Sequence, residues 1–241
     1  MNCEFSETQF VFGILNELVN SCWNSKKAWT SPRFPTQRQE KKLGYDFKIE
    51  GAVRTLFFQF KVPEKKTTSR GKYWTTFGGP YYKFEIWPDN RTHQHNDLVT
   101  LAKSDPHYKV YYCSPGFHTE KEFDENYRDK TISRKSIYVP CKILPKISGN
   151  DKHDISYTLE PARIYKMHSK ELSIQAFDIE RLKADVEDAV LYESVHKCLD
   201  SIAETFSIDV RNMDNDIERF DEIADYLLMN KNLNMILLGE C

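Results

Sequence analysis

Asp46, Gln59 and Lys61 offer an acid, an amide oxygen and an ammonium that could meet on one small surface. They fall in GYDFKIEGAVRTLFFQFK, from Gly44 to Lys61, where the runs YDFKI and TLFFQFKV flank a turn-like EGAVR. Two such runs around a short polar turn predict a hairpin. In the second run Leu56, Phe58 and Phe60 alternate with Phe57, Gln59 and Lys61. A period of two places Gln59 and Lys61 on one face of the sheet. An antiparallel partner then brings Asp46 beside them, with Phe58 and Phe60 buried behind. A carboxylate and an amide or carbonyl oxygen are hard ligands that can hold Mg²⁺ and leave waters on it. A neighbouring lysine can stabilise phosphate charge or orient an attacking water. The same pattern also fits an exposed hairpin face on which Asp, Gln and Lys simply meet water.

Asp46, followed by Gln59-Phe60-Lys61 on a hydrophobic strand, resembles the PD-(D/E)xK restriction-endonuclease-like superfamily from the first helix to Lys61. The resemblance implies an α/β fold, a mixed central sheet flanked by helices in the order αβββαβ. It makes Asp46 the metal-binding acid, Gln59 the second metal-site residue and Lys61 the catalytic lysine, with Mg²⁺ or Mn²⁺ as cofactor. Gln59 stands where Glu is commoner, which lowers the negative charge of the site. A first-helix acid often completes such a site. Glu7 is the candidate, Glu17 shares a helix face with Phe10 and Ile14, and Glu40 is a rival six residues before Asp46. The GYD and QFK context, with the later HNDL and YYCSPGFH stretches, also resembles bacterial proteins from defence or mobile-element settings.

A length of 241 residues permits one large domain or a core with an appendage. No apolar run approaches the ~18 residues of a membrane helix. The start, Met1-Asn-Cys-Glu-Phe, lacks the basic and hydrophobic regions of a signal peptide. A soluble, cytoplasmic protein is expected. The six cysteines are scattered without a CxxC pair, as expected for reduced thiols. Cys113 with His118, and His93 with His95, match no strong zinc template.

The net charge of −2 hides an uneven division. Asn24 to Lys72 carries 13 Lys/Arg against 4 Asp/Glu, a balance of +9. Glu171 to Cys241 carries 6 against 17, a balance of −11. A basic front around the candidate site suits a polyanion such as nucleic acid, DNA in preference. Arg38, Lys41 and Lys42 could touch phosphates before the hairpin. Lys65, Lys66, Arg70 and Lys72, alternating with Tyr73 and Trp74, could form a contact loop after it, with the rings stacking on bases.

The elements around the site follow from periodicity. Ser6-Glu7-Thr8-Gln9 is a capping box before a helix to about Cys22. Residues 81–87 and 108–113 read as strands, with Glu85 a further possible ligand and a helix over 93–103 between them. Thr119 and Glu122 form a second capping box. Strands follow at 136–141, an edge because of Pro140, and at 155–159. One long helix is expected from Ile179 to Phe206 and a second from Ile217 to Leu228, closing with the apolar LNMILLGE as a helical hairpin. The chain therefore divides into a nuclease-like domain, 1–170, and an acidic helical region, 171–241, whose hairpin either folds on the core or serves oligomerisation or a protein partner, the latter favoured. The leading function is a metal-dependent nuclease in antiviral defence or restriction. The alternative is an inactive nuclease-like subunit that binds, senses or assembles.

Overall fold

The computed structural model describes residues 1–21, 53–86, 94–148, 153–159, 164–167, 172–175, 177–188, 192, 195–213, 215–231 and 233–239. In chain order these form α1 (Glu7–Ser21), β1 (Val53–Phe60), β2 (Glu64–Lys66), a one-turn α2 (Trp74–Phe77) and β3 (Tyr81–Ile86). Then come α3 (Gln94–Ser104), β4 (Tyr108–Pro115), α4 (Glu120–Arg128) and β5 (Ser136–Pro140). Strands β6 (His153–Tyr157), β7 (Ile164–Met167) and β8 (Leu172–Gln175) precede α5 (Ile179–Glu187), α6 (Val195–Phe206), α7 (Asp216–Lys231) and β9 (Asn234–Gly239).

The first sheet has the order β5-β4-β1-β9. Its two central strands are parallel, with Phe60 beside Cys113, while β5 and β9 run antiparallel on the edges. A parallel pair needs a long crossover, and α3 lies within that crossover. Pro140 sits on the outer strand, where its missing N–H costs no ladder bond. The second sheet, β2-β3-β6-β7-β8, is antiparallel throughout.

Alternation along β1 feeds two apolar layers. Leu56, Phe58 and Phe60 pack with Phe10, Ile14 and Leu18 of α1, Phe123 of α4 and Leu182 of α5. Phe57 packs on the other side with Leu98 of α3, Leu199 of α6, Phe220 of α7, and Phe84 and Ile155 of the second sheet. Each phenylalanine so buried is worth about 1.5–3 kcal/mol. β1 is thus the spine of a mixed α/β fold with seven helices among the described residues.

Helix starts follow their sequences. Gln9 N–H donates to Ser6 Oγ at 3.1 Å and Ser6 N–H to Gln9 Oε1 at 2.9 Å, the expected reciprocal cap. At α4, Glu122 N–H donates to Thr119 Oγ1, and Glu122 Oε2 accepts from the His118 and Thr119 N–H groups, each at 3.0 Å. Burial would raise the Glu122 pKa, but these donors outweigh it and hold the carboxyl at about 2. Thr119→Ala is expected to cost about 1 kcal/mol in chemical denaturation. Because the folded pKa is depressed, the Glu122 contribution is present above the ordinary carboxylate range. It is lost as pH falls through that range towards 2, so the gap between wild type and variant should narrow in acid.

Three expectations are corrected. The long helix over 179–206 is two helices, α5 ending at its cap Asp188 and α6 starting at Val195. The closing apolar run is a strand: Met235, Ile236 and Leu237 pair with Phe57, Leu56 and Thr55. Leu and Met favour helix slightly, but an open edge on β1 offers a full hydrogen-bond ladder, and tertiary context overrides propensity. Finally, of the two placements open to the helical pair the fold takes the core and not the favoured partner contact: α6 and α7 pack together, with Leu199, Ile202, Phe220, Ile223 and Leu227 buried in the layer that holds Phe57. Their apolar faces are used within the chain.

Gly116, just beyond β4, is held by close approach. A Cβ there would lie 2.2 Å from Leu159 Cδ1 and 2.3 Å from its Cγ. Gly116→Ala is expected to destabilise by about 1–3 kcal/mol in urea, through overpacking.

Candidate active site

Lys61 follows directly on β1 and continues its ladder, its N–H donating to the Cys113 carbonyl at 2.9 Å. The period of two works as expected: Gln59 and Lys61 meet the same neighbour. That neighbour is Gln94, the first residue of α3. Gln94 Nε2 donates to Gln59 Oε1 at 2.7 Å, and Gln94 Oε1 accepts from Lys61 Nζ at 3.4 Å. Gln59 Nε2 turns back to the Phe60 carbonyl at 3.3 Å. Gln59 is 1% exposed, so its amide is a buried brace for Gln94. The two amides form a relay that ends on the ammonium.

Burial lowers the Lys61 pKa, and the Glu7 carboxylate, close enough to act on it electrostatically, pulls the other way. Glu7 is the first residue of α1, which packs across β1 through Phe10 and Phe60, their ring centroids 5.9 Å apart. The structure therefore brings together Glu7, Gln59, Lys61 and Gln94. A lysine desolvated in this way carries a charge that water does not screen fully. It is equipped to meet a phosphate oxygen or hold a water. Gln94 was not legible from the sequence. It lies 35 residues beyond Gln59, and only the crossover brings it back to β1.

Other expected residues stand elsewhere. Asp46, Glu40, Arg38, Lys41 and Lys42, and with them the first strand of the hairpin, lie outside the described residues. Glu17 is 3% exposed and accepts from Ile132 N–H at 2.7 Å, Ser133 N–H at 2.8 Å and Ser133 Oγ at 2.6 Å. It anchors the 132–133 turn and is removed from the metal candidates. Glu85 is an exposed residue of β3, paired in register with Asp154. His95 is buried: its Nε2 lies 2.9 Å from the Pro145 carbonyl and its Nδ1 3.0 Å from Tyr112 Oη. A carbonyl only accepts, so Nε2 carries the proton and Nδ1 accepts from the tyrosine. Burial lowers its pKa, and it is a neutral core residue.

The segment after Lys61 is more ordered than a contact loop. Lys65 and Lys66 belong to β2, with Lys65 Nζ 5.4 Å from the Tyr82 ring centroid and Lys66 paired to Glu64. Arg70 and Lys72 are exposed, and Lys72 Nζ stands 5.3 Å from the Tyr73 ring centroid. Tyr73 itself is 3% exposed, which removes it as a surface for stacking bases.

Among the described residues no group of three or more His, Cys, Asp or Glu side chains could hold a metal ion. Among the described residues Glu7 is the one carboxylate acting on Lys61, and the Gln59 oxygen is engaged by Gln94. The described residues therefore do not by themselves make a Mg²⁺ site. Nor is any described helix long and apolar enough to cross a membrane. The chain matches no family model, no curated protein and no solved structure.

Proposed function

We propose that this chain acts on the phosphodiester backbone of nucleic acid, DNA in preference, as a nuclease of the PD-(D/E)xK restriction-endonuclease-like kind. The observation that carries the reading is the partly buried Lys61 at the C-terminal end of a central strand, tied to Gln94 and within reach of the Glu7 field. The parallel pair β1 and β4, with α3 in its crossover, supports the reading, while β2 and β3, which the αβββαβ order would place beside them, belong to the second sheet. In this reading Lys61 neutralises charge building on the phosphate or holds the attacking water. Gln59 and Gln94 keep it from swinging away, and the basic segment 24–72 attracts the polyanion. A divalent cation, Mg²⁺ or Mn²⁺, would need Asp46 together with Glu7. A bacterial defence or restriction role belongs to the same proposal.

One observation favours a second reading. Gln59 Oε1 already accepts from Gln94, so it is not offered to a metal as the resemblance implies. A nuclease-like subunit that binds or senses nucleic acid without cutting would keep this geometry. A protein partner would then meet the acidic outer surface of α6 and α7.

The two readings part in one assay. Purified protein is incubated with plasmid, single-stranded DNA and RNA, with Mg²⁺, Mn²⁺ or EDTA, beside Asp46→Ala. Cleavage that needs metal and disappears in the variant supports the nuclease. Intact substrate in every lane, with a retained mobility shift, supports the subunit.

A further inference from the structure

A cleft of about 300 Å³ opens where the start of β4 and the end of β5 meet α5. It shares no lining residue with the Lys61 site, and its size is at the lower end of small-molecule sites. Three cations line it, Lys109, Lys142 and Arg181, against one acid, Asp185. Asp185 is already committed: Oδ1 accepts from Lys109 Nζ at 3.0 Å and Oδ2 from the Tyr111 hydroxyl. Lys142 is exposed and has no ion-pair partner among the described residues.

The remaining wall is apolar and fixed. Phe177 is locked to β5 by reciprocal backbone bonds with Tyr138, at 3.0 and 3.1 Å. The Arg181 guanidinium lies 4.7 Å from the Phe177 ring centroid, which orders both groups before any ligand arrives. Ile143 is 52% exposed at the rim, one of few large apolar side chains so exposed among the described residues. Lys142 and Arg181 beside a partly exposed apolar wall match a ligand with an anionic head and a planar or apolar body. Lysine and arginine on one cleft suit phosphate, which takes a point charge and a forked donor together.

We propose that this cleft binds a small phosphomonoester on a planar body, a nucleoside monophosphate in size and character. The phosphate lies between Lys142 and Arg181, and the base lies against Phe177 and Ile143. The proposal is independent of whether Lys61 supports cleavage.

Isothermal titration of the full chain with AMP, GMP, CMP and UMP tests it, beside inorganic phosphate and the parent nucleosides. At least one nucleotide is expected to bind better than inorganic phosphate. Charge reversal in Lys142→Glu is expected to weaken that binding on the order of tenfold or more, with the unliganded melting temperature unchanged. Arg181→Glu should act in the same direction, its fold checked by circular dichroism. Lys61→Ala should bind as wild type does. The proposal is overturned by no binding at millimolar nucleotide or by equal affinity in Lys142→Glu. Inorganic phosphate binding as well as the nucleotide, or loss of binding in Lys61→Ala, would overturn it too, the last by placing the ligand at the other site.

Discussion

Under the proposed nuclease reading, Lys61→Met is expected to lower cleavage by roughly 10²–10³-fold or more, the loss typical when a preorganised charge is removed from a reacting group. The same change should leave the melting temperature unchanged or raise it. Burial depresses the pKa of Lys61 in the fold. For a depressed folded pKa the favourable contribution is present above the unfolded value and is lost as pH falls through the folded one. Wherever Lys61 is protonated, the ammonium is a charge the fold holds at some cost, moderated by Glu7 and Gln94. Methionine keeps the length and the apolar stem without that charge. Turnover on plasmid DNA and thermal melts at pH 7 and pH 10 check both parts. A melting temperature that drops by many degrees at pH 7 would make Lys61 a structural partner of Gln94 rather than a group held for chemistry. Glu7→Gln should push the Lys61 pKa down further without unfolding the chain.

Glu17→Ala is expected to give the largest loss of stability, about 3–5 kcal/mol, as when one partner of a buried charged network is removed. Alanine leaves two N–H groups and a hydroxyl, at Ile132 and Ser133, with no acceptor, and each such orphan costs about 1–3 kcal/mol. Urea unfolding at pH 7 measures it. Glu17→Gln should recover part of the loss, since an amide still offers one oxygen. A change under about 1 kcal/mol in the alanine variant would mean that water replaces the carboxylate at the turn. The two acids on α1 are thereby told apart: Glu17 is expected to act through stability, and Glu7, under the proposed reading, through Lys61.

The local rules were readable where a pattern was complete within a few residues. The boxes at Ser6 and Thr119 cap α1 and α4 as expected, because the donors and acceptors involved lie within four positions of each other. Strands β1, β3, β4 and β5 fall where they are expected, β4 and β5 buried along nearly their whole length, and the common face of Gln59 and Lys61 follows from the alternation of β1. The C-terminal run could not be read the same way. Six apolar or neutral residues suit a helix or a strand, and β1's vacant edge chose the strand.

At the site, the sequence by itself determined the identity of the chemical groups and the face on which Gln59 and Lys61 lie, since a strand's period of two is a property of its own backbone. Only the tertiary structure decided which groups meet them. Gln94 arrives from a crossover helix, Glu7 from the helix across the sheet, and Glu17 is diverted to the 132–133 turn more than a hundred residues away. Such contacts depend on how separate elements pack, and no spacing along the chain encodes them.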